Sequence, residues 1–368
     1  MTGVTGDAAV DDLVARERER RSTSIQLIAS ETEPTPAVRA AMGSVFDAKY
    51  AEGYPGGRYH GGCEVVDEVE SLAIERARTL FGAEYANVQP ASGSAASLAV
   101  YAAFAQPGDP VLALRLDQGG HLTHGSRANF SGRWFTPLHY GVRKSDECID
   151  YDEVRDLALV HRPRILVAGA ASYSRLIDFA ILRQIADEAE CVLWVDAAHL
   201  AGLVAAGVAP SPVPFADVVT VSTNKVIRGP RGGLVLAPER HRNVLDKAVY
   251  PFVQGGPAMN SIAAKAVAFA ESATDEFAAY ARTAVANATA LADALVGRGL
   301  RIVSGGTDTH LAVVDVSARG LTGVEAQRRL AAAGIVVDKA VLPFDTQPVA
   351  LGSAFRIGTA CATSAGLG

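Results

Sequence analysis

Four short runs of this chain are apolar at almost every position: Ile165-Leu166-Val167, Val192-Leu193-Trp194-Val195, Val218-Val219-Thr220-Val221 and Leu234-Val235-Leu236. A strand with one face in water alternates polar and apolar residues, so strands without alternation must be buried on both faces. Helical stretches such as Ile181-Leu182-Arg183-Gln184-Ile185-Ala186 lie between them. The pattern is that of βαβ units and predicts an α/β fold built on a mostly parallel sheet covered by helices.

Two of these runs end on residues with chemistry. The run from Val218 continues through Ser222-Thr223-Asn224 to Lys225, and Val226-Ile227 then lead into Arg228-Gly229-Pro230-Arg231-Gly232-Gly233. Lysine is scarce here, six against twenty-eight arginines, which makes its placement at such a junction worth pursuing. Where a buried strand meets a glycine-rich loop, a lysine is stripped of water, its pKa falls, and its amine becomes able to form a Schiff base with a carbonyl. A solvated loop lysine is the commoner case, and the residues upstream decide between the two.

The run from Val192 delivers Asp196 at its C-terminal end, where open α/β sheets place their ligands. A carboxylate there can keep a pyridine nitrogen protonated. His199 follows close enough to reach the same cleft. Without Lys225, Asp196 reads better as a helix N-cap and His199 as a satisfied core histidine. Further upstream, Gln89-Pro90-Ala91-Ser92-Gly93-Ser94-Ala95-Ala96-Ser97 leads into the apolar helical stretch Leu98 to Phe104. Hydroxyls and free amides at a helix N-terminus suit a phosphate dianion. A phosphate cup, an Asp-tipped strand and a Lys-tipped strand, in that order, point to pyridoxal 5'-phosphate (PLP).

A chain of 368 residues can hold a large domain and a smaller one. The expected division is an N-terminal helical arm (1–22), a large PLP-binding domain (23–260), and a linker helix with a small α+β domain (261–368). One Ala-rich helix is expected from Ile262 to Val296, with strands at Arg301-Ile302-Val303, Leu311 to Val314, Ile335-Val336-Val337 and Phe355-Arg356-Ile357. A net charge of -6 and no basic cluster argue against a nucleic-acid partner. Arg16 to Arg21 alternates with Glu17 and Glu19 and predicts a solvated helix face. No stretch has the form of a signal peptide or the length of a membrane span, so a soluble, cytoplasmic protein without a membrane partner is expected. Cys63, Cys148, Cys191 and Cys361 are scattered, without metal-ligand spacing or a disulfide framework.

Several blocks together resemble the serine hydroxymethyltransferase family, PLP enzymes of fold type I. They are Leu27-Ile28-Ala29-Ser30-Glu31, Tyr50-Ala51-Glu52-Gly53-Tyr54-Pro55-Gly56, Gly119-Gly120-His121-Leu122-Thr123-His124-Gly125, Asp196-Ala197-Ala198-His199, Gly229 to Gly233 and Phe355-Arg356-Ile357-Gly358-Thr359. The resemblance covers nearly the whole chain and implies a seven-stranded, mostly parallel sheet with a small C-terminal α+β domain. It implies that Lys225 holds PLP, Asp196 pairs with the ring nitrogen and His121 stacks on the ring. Ser92, Gly93, Ser94 and Ser222 would hold the cofactor, with Gly255 and Gly256 reaching its phosphate from a neighbouring subunit. Arg356 would clamp the substrate carboxylate, and Ser30 and His199 would contact the substrate and the phenolic oxygen. Glu52, beside Tyr50, would reach the partner's site and handle the proton of the substrate's β-hydroxyl, with Tyr59 and His60 on the substrate side. A site built from two chains implies a homodimer or a dimer of dimers; no metal is implied. Family members usually continue past the arginine block with further helices, whereas this chain stops at Gly368, which leaves open whether it is a fragment of a longer protein.

The chain departs from the family at five places. Asn224 stands where His precedes the lysine, His60 where a second Tyr follows Arg-Tyr, Ala171 where Ser or Thr is usual, Ala360 where Pro follows Thr, and Ala340 where an Asn contacts the pterin of tetrahydrofolate. With catalytic parts kept and folate contacts altered, the expectation is a folate-independent relative, an L-threonine transaldolase. It would convert threonine and an aldehyde into acetaldehyde and a new β-hydroxy amino acid through a glycyl quinonoid. A tetrahydrofolate-dependent serine hydroxymethyltransferase and a threonine aldolase are the alternatives. A PLP-binding protein without turnover fits least, because Glu52, Asp196, Lys225 and Arg356 are all present.

Overall fold

The computed structural model describes residues 5–367. Its centre is a seven-stranded sheet formed by β1 (Tyr85–Asn87), β2 (Pro110–Leu114), β3 (Thr136–Tyr140), β4 (Ile165–Ala168), β5 (Val192–Asp196), β6 (Val218–Ser222) and β7 (Gly233–Ala237). The spatial order is β1-β7-β6-β5-β4-β2-β3. Strands β2 to β6 run parallel, and β7 runs antiparallel to both of its neighbours. The runs without alternation are buried throughout β4, β6 and β7, as double-sided burial requires. All parallel strands therefore present their C-terminal ends along one edge of the sheet.

Helices cover both faces. Outside these layers, α1 (Ala8–Ser22) buries no residue, so its charged run is indeed solvated. By contrast α2 (Glu64–Phe81) packs an apolar stripe inward, and α3 (Gly93–Phe104) begins at the Ser92 N-cap, whose hydroxyl accepts from the Ala95 amide at 3.0 Å.

The expected single helix from Ile262 to Val296 is two helices, α4 (Met259–Ser272) and α5 (Asp275–Val296). The break has a local cause. Thr274 turns extended and caps α5, its hydroxyl accepting from the Phe277 amide at 3.3 Å, with Asp275 and Glu276 in the first turn. A threonine followed by two acids is a helix start, and this signal is present in the sequence. Helix α4 is buried on nearly every side and packs against α2 and Pro36–Met42.

The C-terminal strands form a four-stranded antiparallel sheet of β8 (Arg301–Ile302), β9 (Leu311–Asp315), β10 (Asp338–Ala340) and β11 (Ala354–Gly358), ordered β8-β9-β11-β10. Its core joins Ile302, Val314, Phe355 and Ile357 to Ala292 of α5 and Ala326. The strand expected at Ile335-Val336-Val337 spans Ile335–Val336 and pairs in parallel with Ile25–Gln26, outside this sheet. No helix among the described residues is long and apolar enough to cross a membrane.

Candidate active site

A cavity of about 240 Å³ opens at the C-terminal ends of β4, β5 and β6. Nine of the residues expected at a site line it: Ser30, Ser92, Gly93, Ser94, His121, Asp196, His199, Ser222 and Lys225. Asn224, Ala171, Glu31 and Arg231 line it as well. The sheet register explains the convergence, because Asp196 lies opposite Thr220 on adjacent parallel strands and Lys225 follows just past the end of β6.

The loop after β6 is closed on itself. The Thr223 amide donates to the Gly232 carbonyl at 3.0 Å, its hydroxyl to the Pro230 carbonyl at 2.7 Å, and the Thr32 hydroxyl to the Lys225 carbonyl at 2.8 Å. Lys225 is thus fixed by its backbone while its amine, which has no hydrogen-bond partner among the described residues, points into the cavity. Burial pushes that amine down to about 8; the charge of Asp196 opposes the shift and that of Arg356 adds to it.

Asp196 is governed by its neighbours. Burial alone would raise its pKa, but the hydrogen bond and charge of His124, with the charges of His121 and Lys225, hold it at about 2. His124 Nε2 lies 3.0 Å from Asp196 Oδ2, and Asp196 Oδ1 accepts from the Ala198 amide at 3.0 Å. Sequence reasoning gave His124 no role; its place three residues after His121 in a glycine-flanked turn was the available signal.

His121 and His199 are kept neutral. Burial takes His121 down to about 4 against the pull of Asp196, and takes His199 well below its ordinary value, with Lys225 and Arg356 adding to the effect. His199 stacks on His310, ring centroids 5.7 Å apart and planes 16° apart. His310, also unassigned from sequence, is pushed to about 4 by burial.

At the other end of the cavity Gly93 opens α3 directly against Ser222; a methyl group there would collide with the serine hydroxyl. Bare amides and the Ser92 and Ser94 hydroxyls thus face the cavity at a helix N-terminus, a site for a dianion. An anion cup, a carboxylate held ionised and a depressed amine fit the phosphate, ring nitrogen and aldehyde carbon of PLP. The three histidine and aspartate ligand atoms of His121, His124 and Asp196 also lie within 4.8 Å of one another, and Asp196, hydrogen-bonded to His124, is a carboxylate of the kind that fits a protonated pyridine nitrogen.

The remaining expected residues lie elsewhere. Arg356 sits just outside the cavity wall, donating to the Ala171 carbonyl and, at 2.6 Å, to Asp338. Tyr50, Glu52, Tyr59, His60, Gly255 and Gly256 form a separate cluster. Glu52 and Tyr50 pack on Gly256, His60 lies 3.6 Å from Glu52, and its ring meets those of Tyr50 and Tyr59 edge-on at 5.4 and 5.3 Å. Tyr50 and Tyr59 are 65% and 81% exposed, so this cluster faces outward from its own chain.

A family model described as serine hydroxymethyltransferase matches residues 4–368. A serine hydroxymethyltransferase of Coprothermobacter proteolyticus is 53% identical over 362 residues, covering 98% of this chain and 87% of that protein. Serine hydroxymethyltransferase 1 of Pseudomonas fluorescens is 53% identical over 362 residues, covering 98% of this chain and 88% of that protein.

Proposed function

This chain belongs to the serine hydroxymethyltransferase family and is a PLP-dependent transferase, and from that premise we propose that it moves a one-carbon unit between serine and glycine with tetrahydrofolate as carrier. The observation that carries this reading is the 53% identity along 98% of the chain to proteins named for that activity. The transaldolase expected from the five substituted positions finds no support in these relatives. A handful of changed residues weighs little against 53% identity over 362 aligned residues.

PLP, when bound, supplies an electron sink for the bond broken at the substrate's Cα. The chain's own groups prepare that step. Lys225, with a pKa of about 8, holds an appreciable fraction of neutral, nucleophilic amine near neutral pH. Asp196, ionised across the physiological range, would hold a proton on the ring nitrogen. Neutral His121 and His199 line the cavity without adding positive charge beside Lys225. The amides of Ser92, Gly93 and Ser94 would bind the phosphate, and Arg356 the substrate carboxylate.

Glu52 would act in the neighbouring subunit, taking the proton of the β-hydroxyl at its carboxylate oxygen. The outward-facing cluster around it supports a shared site. Mixing Glu52→Gln with Lys225→Ala chains should regenerate activity in heterodimers; an inactive mixture would count against the sharing.

The activity itself is tested by following glycine formation. Serine with tetrahydrofolate should give rapid turnover, with threonine plus an aldehyde giving little exchange product. Folate-insensitive serine cleavage together with efficient threonine exchange would overturn the proposal and restore the transaldolase.

A further inference from the structure

The guanidinium of Arg356 already holds a carboxylate from its own chain. Asp338 on β10 and Arg356 on β11 are directly opposite in the cross-strand register, which brings Arg356 Nη2 to 2.6 Å from Asp338 Oδ2. The other terminal nitrogen, Nη1, donates to the Ala171 carbonyl and lies 3.4 Å from the Ser172 hydroxyl. Both prongs of the fork therefore have protein acceptors. The arginine side chain is 13% exposed and the aspartate 30%. The pair is thus shielded on the arginine side, while Asp338, on the sheet's edge strand, has water within reach.

We propose that Asp338 is a specificity-determining residue that competes with the substrate carboxylate for Arg356 and so sets amino-acid affinity. The inference rests on Arg356 being the carboxylate clamp. A two-pronged grip on an incoming carboxylate uses N–H groups of both terminal nitrogens. An amino acid must then either displace Asp338 or place a second anion against it on one cation. Displacement is feasible because Asp338 can turn to water, whereas Arg356 stays anchored through Ala171. Arginine held by Asp338 is the incompetent state, and apparent affinity falls by the fraction of molecules occupying the competent one. Asp338 also gives the enzyme a way to keep the clamp neutralised and oriented when no substrate is bound.

The test titrates holoenzyme spectroscopically with glycine, and with ethanolamine, which has the amine but no carboxylate. In Asp338→Asn the glycine dissociation constant should fall on the order of ten-fold, with ethanolamine unmoved. Asp338→Ser provides the same loss of charge in a smaller side chain should the amide misfold, and thermal unfolding checks both. Unchanged or weaker glycine binding in folded Asp338 variants would overturn the proposal. Arg356→Lys separates the premise from the inference: it should bring glycine close to ethanolamine, and if it leaves glycine affinity intact the clamp is elsewhere and the Asp338 proposal falls with it.

Discussion

Two lysines of this protein are withdrawn from solvent, Lys265 fully and Lys225 in part, and they differ in what surrounds their amines. Lys225 lies just past the end of β6 and points into a cavity beside Asp196 an amine without a hydrogen-bond partner among the described residues. Lys265, in the middle of α4, is 1% exposed and donates to the carbonyls of Val88, Pro90 and Gly233 at 2.6, 3.0 and 2.9 Å. Burial lowers both amines, Lys225 to about 8 and Lys265 to about 7, the latter against the charge of Glu70. A lowered pKa therefore does not by itself mark a nucleophile. What separates them is who claims the protons. Three carbonyls around Lys265 match the three N–H groups of an ammonium, and a neutral amine would leave one of them without a donor at a cost of about 1–3 kcal/mol. Lys265 thus ties the segment that leads to the Ser92 helix start onto β7, while no protein acceptor among the described residues claims the amine of Lys225.

The comparison can be broken most directly at Lys225. Lys225→Ala should lower turnover by about three orders of magnitude or more, since no other amine can take the nucleophile's place. Borohydride reduction of the wild-type holoenzyme followed by peptide mapping should leave the pyridoxyl group on Lys225, and a label on Lys265 would reverse the two roles. Lys265→Met should instead cost stability, about 3 kcal/mol, because carbonyls lose their donors while relief of a buried charge offsets part of the loss. Urea unfolding measures it, and the variant should still carry its cofactor on Lys225.

The pH dependence sharpens the contrast. An amine captures an aldehyde only after losing its proton, so the rate at which apoenzyme takes up PLP should rise about ten-fold per pH unit below 8 and level off above it. A rise that continues toward the 10.5 of an ordinary lysine would show Lys225 to be solvated. The smallest expected change is at His124. His124→Asn, which loses a hydrogen bond to an ionised Asp196, should raise the Asp196 pKa and reduce activity by about ten-fold, the equivalent of one charge-assisted bond. Activity that stays flat would mean that the Ala198 amide suffices to hold the carboxylate.

Much of this site is legible in the chain because it depends on local pattern. Unbroken apolar runs gave β4, β5, β6 and β7 within a residue or two, and strands that are buried on both faces leave their polar termini as the only place for Asp196 and Lys225. Ser92 and Gly93 announced a helix start before α3. The break at Thr274 is also local, but alanine-rich sequence on both sides of it masks the cap signal. The partner of the Ile335 strand is not legible for a different reason. A short apolar strand fits any partner, and its pairing with Ile25 depends on a segment that sits 310 residues away in the chain.

The sequence by itself determined the layered parallel architecture, the order of serine-capped helix start, carboxylate and lysine, and the family to which they belong, since each is carried by periodicity or by residue type at a strand or helix end. The tertiary structure decided what those residues face. His124 meets Asp196 across 72 residues, Lys265 finds Val88 across 177, and Arg356 finds Ala171 across 185. Whether a buried amine is a nucleophile or a clasp, and whether an arginine is free or already paired with Asp338, depends on distances between atoms far apart in the chain. Only the packing of α4 against the large sheet, and the register of β10 on β11, set those distances.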